Sequence, residues 1–426
     1  MTASAFTAVF IAFVLASLGW RTWLALRQQR HVGRHRDQVP ADFESVIPLE
    51  SHRKAADYTG EKQRLAIVES WVGDGVALLA LTVGGGVAAI DALSLRWLGP
   101  GNLRDLTTVF GVMLVSALVT LPFEIWRVFG VETRYGFNRS TLGLFLGDLA
   151  KGALLAAALG VPLLLAVFWF VRTTGTWWWV WTWVAWVFFT LLLVTVFPRW
   201  IAPLFNRFTP LEDGDLRRRI EGLLARCGFR SEGLFVMDGS KRSSHGNAYF
   251  TGFGTNKRIV FFDTLMDRLT APEIEAVLAH ELGHFARGHI PRLLAMRFAL
   301  AFLLLAALGW LYREPAFYGA LHLPGPAIGA VLAGFALLVP VFIFPFQPLA
   351  SLIARRQEFE ADAFAAKHAS AADLVSALAK LYRDNASTLT PDPLHSLVYD
   401  SHPPAALRID HLKRRDAPPI LSADTP

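Results

Sequence analysis

The stretch His280-Glu281-Leu282-Gly283-His284 carries the residue types and spacing of a metal-dependent hydrolytic site. Two histidines four residues apart lie on one face of a helix, one turn apart, so both imidazoles can bind one metal ion. Glu281 stands beside them, where its carboxylate can accept a proton from a water bound to that metal. The pattern predicts a zinc site with His280 and His284 as ligands and Glu281 as catalytic base. The alternative interpretation is a surface helix that carries two histidines.

A hydrolytic zinc site usually has three protein ligands and one open position for water, so a third ligand is needed. One common solution is a histidine six residues after the second, but Ile290 occupies that place. The other solution is a later carboxylate, and Glu358 and Asp362 are spaced to share one helix face. Glu358 can bind the metal, and Asp362 can hydrogen-bond a ligand imidazole. Spacing alone leaves a second interpretation open, which is a solvated charged helix next to a membrane span.

The composition of the 426-residue chain indicates a membrane protein. Hydrophobic residues make up 53% of it and charged residues 18%, whereas roughly a quarter of the residues in a soluble domain are charged. The single cysteine, Cys227, excludes an intrachain disulfide and a cysteine-based metal site. The net charge of +6 is interpreted as membrane topology, because no basic run is interleaved with aromatics as a nucleic-acid groove requires. We therefore expect a lipid bilayer as a partner and no nucleic acid.

Seven apolar segments approach or exceed the about 20 residues that a membrane span needs. They comprise residues 5–26, 72–98, 107–129, 144–171, 177–197, 293–311 and 327–353. Three consecutive glycines, Gly84 to Gly86, loosen the second segment, and prolines kink the last. The predicted fold class is a mainly α membrane protein with seven transmembrane helices.

The distribution of arginines predicts how these spans are oriented. The loop 27–69 follows the first span and is basic, which places it in the cytoplasm by the positive-inside rule. The predicted organisation is spans 1 to 5 within residues 1–203, a metalloprotease insert over 204–292, spans 6 and 7 within 293–354, and a cytoplasmic segment with the third-ligand helix over 355–426. The number of spans then puts both polar segments on the cytoplasmic side, so groups from both can build one site.

The insert is predicted to combine helices and strands. A helix is expected over 211–225, and short strands over 234–237, 248–250 and 259–262. The residues Gly254-Thr255-Asn256-Lys257 predict a hairpin turn between the last two strands. Thr270 and Glu273 form a capping-box pattern with Pro272 in the first turn, which begins a zinc helix predicted over 271–289.

Further stretches match one family of membrane enzymes. They are residues 131–141, 201–211, 236–250 and 355–362, together with Pro391-Asp392-Pro393-Leu394 and Ser401-His402-Pro403-Pro404. In these stretches the chain resembles the integral-membrane zinc endopeptidases of the CAAX prenyl protease 1 type, and the resemblance covers most of the chain. Two departures are Ala354, where the family usually has Ser, and Gly246.

The resemblance implies a set of roles in one site. It implies that the seven transmembrane helices surround a large intramembrane chamber, which the zinc site faces. It implies one zinc ion per chain, bound by His280, His284 and Glu358, with Glu281 as the catalytic base. It implies His402 as a donor to the oxyanion of the tetrahedral intermediate.

The segment Asn247, Ala248 and Tyr249 is implied to be an edge strand that pairs with the substrate backbone. The residues agree with this role, because a hairpin edge exposes unpaired backbone groups to which an extended peptide can add as a strand. Without the resemblance, Asn247 is an ordinary turn residue and His402 is an interfacial histidine followed by two prolines.

The sequence predicts a membrane-embedded zinc endopeptidase. The resemblance implies that it removes the C-terminal tripeptide from prenylated peptides that end in Cys-aliphatic-aliphatic-x (CAAX). One alternative is a membrane quality-control protease that degrades misfolded or stalled proteins. Another is a non-enzymatic seven-helix transporter or receptor with a vestigial metal site, against which Glu281 argues, because a structural metal site needs no unliganded base. The expected location is a bacterial cytoplasmic membrane in preference to the ER membrane.

Overall fold

The computed structural model describes residues 2–251 and 256–416 and consists of long helices with one small sheet. The α-helices are, in chain order, α1 Ala3–Arg34, α2 Leu49–Glu69, α3 Leu78–Leu81, α4 Gly86–Leu98, α5 Asn102–Ile125, α6 Leu142–Thr173, α7 Trp178–Val196, α8 Asp215–Arg226, α9 Asp263–Met266, α10 Ala271–Ala286, α11 His289–Leu311, α12 Pro315–Ala320, α13 Ile328–Ile343, α14 Gln347–His368, α15 Ala371–Asp384, α16 Pro393–Tyr399 and α17 Ala405–Asp416. The strands are β1 Phe208–Pro210, β2 Arg230–Met237, β3 Ala248–Thr251 and β4 Asn256–Phe262.

Within the described residues, six helices are long and apolar enough to cross a membrane. They are Ala3–Arg34, Asn102–Glu132, Leu142–Thr173, Gly175–Leu204, His289–Leu311 and Ile328–His368. A bent pair, Leu49–Leu81 with Gly86–Leu98, makes a seventh span if it is counted as one. The pair changes direction by 53°. If the bent pair is counted as one span, the described residues contain seven spans, the number that the sequence predicts.

Glycines produce the bend between α3 and α4. Gly85 has a φ of 78°, a left-handed conformation that residues with a Cβ rarely adopt. A Cβ on Gly84 would lie 2.6 Å from the carbonyl oxygen of Ala80. These glycines therefore do more than loosen the span, because they end one helix and let the next begin in a new direction.

The last span continues directly into the helix of the candidate third ligand. A short 3-10 turn, Phe344–Phe346, joins α13 to α14. Together with this turn, the two helices form one helical segment of 41 residues, Ile328–His368. Pro345 lies in that turn and Pro348 in the first turn of α14, where the missing N–H of proline is tolerated. The predicted boundary between residues 354 and 355 falls inside α14. Glu358 therefore lies on a helix that continues directly from the last membrane span.

The sheet has the strand order β1-β2-β4-β3. Strands β2 and β4 run parallel, whereas β3 and β4 are antiparallel with Ala248 opposite Phe261. The three predicted strands are present, and β1 is an additional strand. Of the predicted hairpin turn, Gly254 and Thr255 lie outside the described residues, and Asn256 and Lys257 belong to β4. In the described part of the chain β3 pairs with β4 alone, so its other edge is open.

Helix α10 begins at a specific signal and ends earlier than predicted. Both hydrogen bonds of the capping box between Thr270 and Glu273 are present. The helix ends at Ala286 and not at residue 289, so the predicted zinc helix 271–289 is too long. Gly288 has a φ of 67°, and a glycine in this left-handed conformation stops an α-helix. His289 then begins α11.

Helices α10 and α14 pack with their backbones in contact. A Cβ on Gly283 would lie 2.9 Å from Cα of Ala361 and 3.0 Å from Cβ of Phe364. A glycine at this position therefore permits an approach that any other residue would oppose. Apolar residues of α10 also pack against the sheet, where they share a core with Ile259 and Phe261 of β4. The His-Glu-x-x-His face is in this way fixed against α14.

The contact at Gly283 can be tested with one added methyl group. We expect Gly283→Ala to lower the free energy of unfolding by about 1–3 kcal/mol, because the core has no room for it. The measurement is thermal unfolding of the detergent-solubilised protein. The matched control is Gly60→Ala in α2, where a Cβ would meet nothing within 4 Å. A Gly283→Ala protein as stable as the control would show that the two backbones are not in tight contact.

The buried carboxylate of Glu273 makes stability depend on pH. Burial opposes its charge, but hydrogen bonds from Lys380, Ser376 and Thr270 outweigh burial and lower the pKa of Glu273 from 4.5 to about 2. The carboxylate therefore stabilises the fold fully above pH 4.5, and the stabilisation is lost as pH falls towards 2.

We expect Glu273→Gln to reduce the free energy of unfolding near pH 7 by up to about 3 kcal/mol. The difference from the unsubstituted protein should shrink progressively below pH 4.5. Denaturant unfolding at several pH values measures it. A difference that stays constant down to pH 3 would contradict the assignment.

Candidate active site

Three candidate metal ligands meet between α10 and α14. The Nε2 atoms of His280 and His284 lie 3.3 Å apart. The carboxylate oxygens of Glu358 lie 3.4 Å from Nε2 of His280 and 3.3 Å from Nε2 of His284. One donor atom from each residue lies within 4.8 Å of the others. The structure thus brings together the three residues that the sequence suggests as ligands.

The chemistry of these donors fits a bound divalent metal. Glu358 is 5% exposed, and nitrogen atoms of His280, His402 and Arg408 lie 3.4, 2.7 and 3.6 Å from its Oε2 atom. A buried carboxylate is costly unless positive charge surrounds it, and a divalent metal would supply such charge. Two imidazoles and one carboxylate are also the donor set of many catalytic zinc sites, which leave a fourth position for water.

A buried carboxylate orients His280. Its Nδ1 atom lies 2.8 Å from Oδ1 of Asp362, whose side chain is completely buried. Burial disfavours a charged imidazole, but hydrogen bonds to Asp362 and Glu358 outweigh it and raise the pKa of His280 to about 9. The contact with Asp362 holds the proton of Nδ1, so a metal would replace the proton of Nε2, which faces the other candidate ligands.

Asp362 in turn binds Arg408, a residue that the sequence analysis missed. The guanidinium donates two hydrogen bonds of 2.9 and 2.6 Å to the carboxylate of Asp362, and its Nη1 lies 3.6 Å from Glu358. Arg408 is 5% exposed. The sequence contains a signal for this role, because Arg408 shares one face of α17 with the buried residues Ala405 and Ile409. A charged residue on such a face indicates a buried partner.

His284 also has a partner behind it. Its Nδ1 lies 3.0 Å from Nδ1 of His289, and Nε2 of His289 lies 3.1 Å from Glu360. No role was predicted for His289 from the sequence. Its position follows from the break at Gly288, which turns the first residue of α11 back towards His284. The imidazoles of His280 and His284 are therefore each contacted at Nδ1, the nitrogen that faces away from Glu358.

Glu281 lines a cavity of about 290 Å³ beside the candidate metal ligands. Its side chain is half-buried, and within the described part of the chain it makes no hydrogen bond or ion pair. A carboxylate without a fixed partner is free to accept and return a proton. Glu281 thus differs from Asp362, which is committed to His280 and Arg408.

The remaining candidate residues lie around the same cavity. His402 is 61% exposed, and its Nδ1 is 2.7 Å from Oε2 of Glu358. Asn247 and Ala248 line the cavity, whereas Tyr249 packs edge-on against Phe262 with ring centroids 6.3 Å apart. Alternate residues of a strand point to opposite sides, which explains the difference between Ala248 and Tyr249.

Further cavities lead from this site towards the spans. A cavity of about 370 Å³ shares Tyr382, Asn385 and His402 with the first. The next, of about 650 Å³, shares His395 and Tyr399 with the second. A fourth, of about 200 Å³, lies among the spans and is walled mainly by apolar residues. Burial raises the pKa of Tyr382 to about 12, so its phenol keeps its proton at neutral pH.

A His-Glu-x-x-His helix, a carboxylate on a later helix and an open strand edge, joined to a bundle of membrane-spanning helices, define a membrane-embedded metallopeptidase. Two family models together match most of the chain. The first is CAAX prenyl protease N-terminal, five membrane helices, over residues 28–207. The second is peptidase family M48, over residues 210–416. The chain therefore belongs to peptidase family M48 and is a multi-pass integral membrane zinc metalloendopeptidase that acts on peptide or protein substrates.

Individual relatives resemble the chain over nearly its whole length. The CAAX prenyl protease 1 homolog of Arabidopsis thaliana is 34% identical over 96% of this chain and 98% of its own. CAAX prenyl protease 1 of Saccharomyces cerevisiae is 32% identical over 95% of this chain and 94% of its own. The crystal structure of S. mikatae Ste24p superposes with a TM-score of 0.87 at 33% identity, over 95% of this chain and 98% of that one. The transporter or receptor alternative receives no support from these relatives.

Arg408 provides a test of the outer part of the site that does not depend on activity. We expect Arg408→Gln to weaken Zn²⁺ binding by about 10–100-fold, because Asp362 loses the groups that hold it against His280. Competition with a chelator measures the affinity. Arg414→Gln is the matched control, since Arg414 is on the same helix and its side chain is 78% exposed. Equal Zn²⁺ affinity in the two variants would rule out this role.

Proposed function

We propose that the chain removes the C-terminal tripeptide from prenylated CAAX peptides, with one Zn²⁺ per chain bound by His280, His284 and Glu358. The observation that carries the proposal is the convergence of these three residues beside a cavity that continues towards the membrane spans. The names of the Arabidopsis and yeast relatives supply the substrate class.

The protein's own residues supply most of the proposed mechanism. Zinc, when bound, polarises the scissile carbonyl and lowers the pKa of water towards about 7. Glu281 accepts the proton of the attacking water and returns it to the leaving amine. Asp362 keeps His280 in the ligand orientation, and Arg408 holds Asp362.

Two further groups act on the substrate in this proposal. The open edge of β3 adds the peptide as an extra strand along the segment Asn247, Ala248 and Tyr249. The carbonyl of Asn247 accepts a hydrogen bond of 3.0 Å from the N–H of Phe262 in β4, so the peptide pairs with the backbone groups of this segment that point away from β4. His402 donates a hydrogen bond to the oxygen of the scissile carbonyl as negative charge develops on it. Its position 2.7 Å from the candidate ligand Glu358 supports this role, and loss of such a donor typically costs about 10²–10³ in rate.

The site is proposed to face the cytoplasm, and the lipid group to enter the chamber. The basic loop 27–69 supports the first statement through the positive-inside rule. The cavity of about 200 Å³ among the spans supports the second, because its walls include Leu18, Leu78 and Leu337. The preference for a bacterial cytoplasmic membrane over the ER membrane stays a prediction, and the relatives named above come from eukaryotes.

The test offers the purified protein two peptides of one sequence, one prenylated on the cysteine and one not. We expect release of the C-terminal tripeptide from the prenylated peptide, detected by mass spectrometry, and loss of that release with a zinc chelator. Equal cleavage of both peptides would favour the quality-control protease, and cleavage of neither by the zinc-loaded protein would overturn the proposal.

Two variants test the roles of individual residues in this experiment, and a third is their control. Glu281→Gln should retain Zn²⁺ and lose activity by about 10²–10⁴-fold, because the base is removed while the ligands remain. Glu358→Ala should lose Zn²⁺, because one of three ligands is removed. Glu232→Gln, an exposed substitution on β2, should match the unsubstituted protein in both respects. An active Glu281→Gln protein would contradict the assignment of the base.

A further inference from the structure

One lysine in the second cavity takes no part in the chemistry proposed so far. Lys62 lies on α2 and lines the cavity of about 370 Å³ that adjoins the active-site cavity. The two cavities share Tyr382, Asn385 and His402 as lining residues. Lys62 is exposed and is one of the residues that line this cavity. A cation therefore stands in the space next to the candidate catalytic residues.

Among the described residues, Lys62 forms no ion pair. Its Nζ lies 4.6 Å from the ring centroid of Tyr58, and in the described part of the chain no carboxylate lies within 4.0 Å of it. Glu132 is nearby, but its carboxylate accepts a 2.5 Å hydrogen bond from Tyr58 and lies 3.4 Å from Nε2 of His245. Asp400 also lines the cavity without pairing with Lys62. An ammonium in such surroundings is suited to bind an anionic group of a ligand.

The strand edge indicates which end of a substrate reaches this cavity. A peptide that adds antiparallel to β3 has its carboxyl end beside the amino end of β3, at Asn247 and Ala248. Asn385 lies there as well, because its Oδ1 accepts a hydrogen bond of 3.2 Å from the backbone N–H of Gly246. Asn385 lines both cavities. The cavity that holds Lys62 therefore lies on the side towards which the leaving part of the peptide runs.

We propose that the Lys62 ammonium binds the C-terminal carboxylate of the substrate and thereby sets the number of residues that are removed. Three extended residues reach about 10 Å beyond the scissile bond. A cation at a fixed place at the far end therefore determines which peptide bond of the substrate lies beside Glu281. The inference rests on the proposed function, because it assigns a determinant of length to that same cleavage.

The experiment compares two prenylated CAAX peptides that differ only at the carboxyl end, which is a free carboxylate in one and a carboxamide in the other. For the unsubstituted protein we expect kcat/KM to be about tenfold or more higher for the carboxylate peptide, mainly through KM, because a charge-assisted hydrogen bond is lost in the other. Lys62→Gln should bring the ratio of the two kcat/KM values close to one. Lys62→Arg, which keeps the charge, should retain the preference.

The matched control is Lys54→Gln, which removes the same charge from the same helix. Lys54 is exposed and lies over the ring of Phe137, 4.7 Å from its centroid, outside this cavity, so the preference for the carboxylate should be unchanged. Equal cleavage of the two peptides by the unsubstituted protein overturns the role of Lys62 and leaves the proposed function intact. A preference that persists in Lys62→Gln overturns it as well. Cleavage of neither peptide overturns the proposed function and this inference together.

Discussion

The contact between Gly283 of α10 and Ala361 of α14 is the constraint on which the rest of the site depends. His284 follows Gly283 directly, and Glu358 lies one turn before Ala361, so the two backbones must approach closely for their side chains to meet. The missing Cβ permits that approach. Helix α14 continues from the last membrane span, whereas α10 belongs to the core of the insert. One contact therefore joins the membrane part to the insert and assembles the metal ligands.

The buried charges around this contact constrain what can be bound. Asp362 and Glu358 are two buried carboxylates, and Arg408 supplies one buried positive charge against them. In the absence of a metal, the proton on His280, whose pKa is raised to about 9, supplies the second positive charge that two carboxylates need where solvation is poor. A divalent metal would replace that proton, while Arg408 stays engaged by two hydrogen bonds to Asp362. Arg408 thus orients the residues behind the metal position without occupying it.

Sequence reasoning was most informative where the signal was local. The spacing of His280 and His284 and the capping box at Thr270 depend on residues a few positions apart, and both occur on α10 as predicted. The glycine that ends this helix was equally local and was overlooked. The approach of Glu358 to α10 is different, because it depends on a tertiary contact that no spacing within either helix encodes. Spacing made Glu358 a candidate ligand and left a solvated charged helix open, and the family resemblance was needed to choose between the two.

A peptide held by its backbone alone has no defined register on β3. The hydrogen bonds of an added strand are the same for every second residue, so the chain can shift by two residues without losing them. Side chains of a CAAX tripeptide, which are aliphatic and variable, discriminate weakly between such registers, since one methylene is worth only about 1–3 kcal/mol. The chain terminus is different, because a peptide has one carboxyl end. A cation such as Lys62, at a fixed place on α2, can therefore select the register that side chains leave undefined.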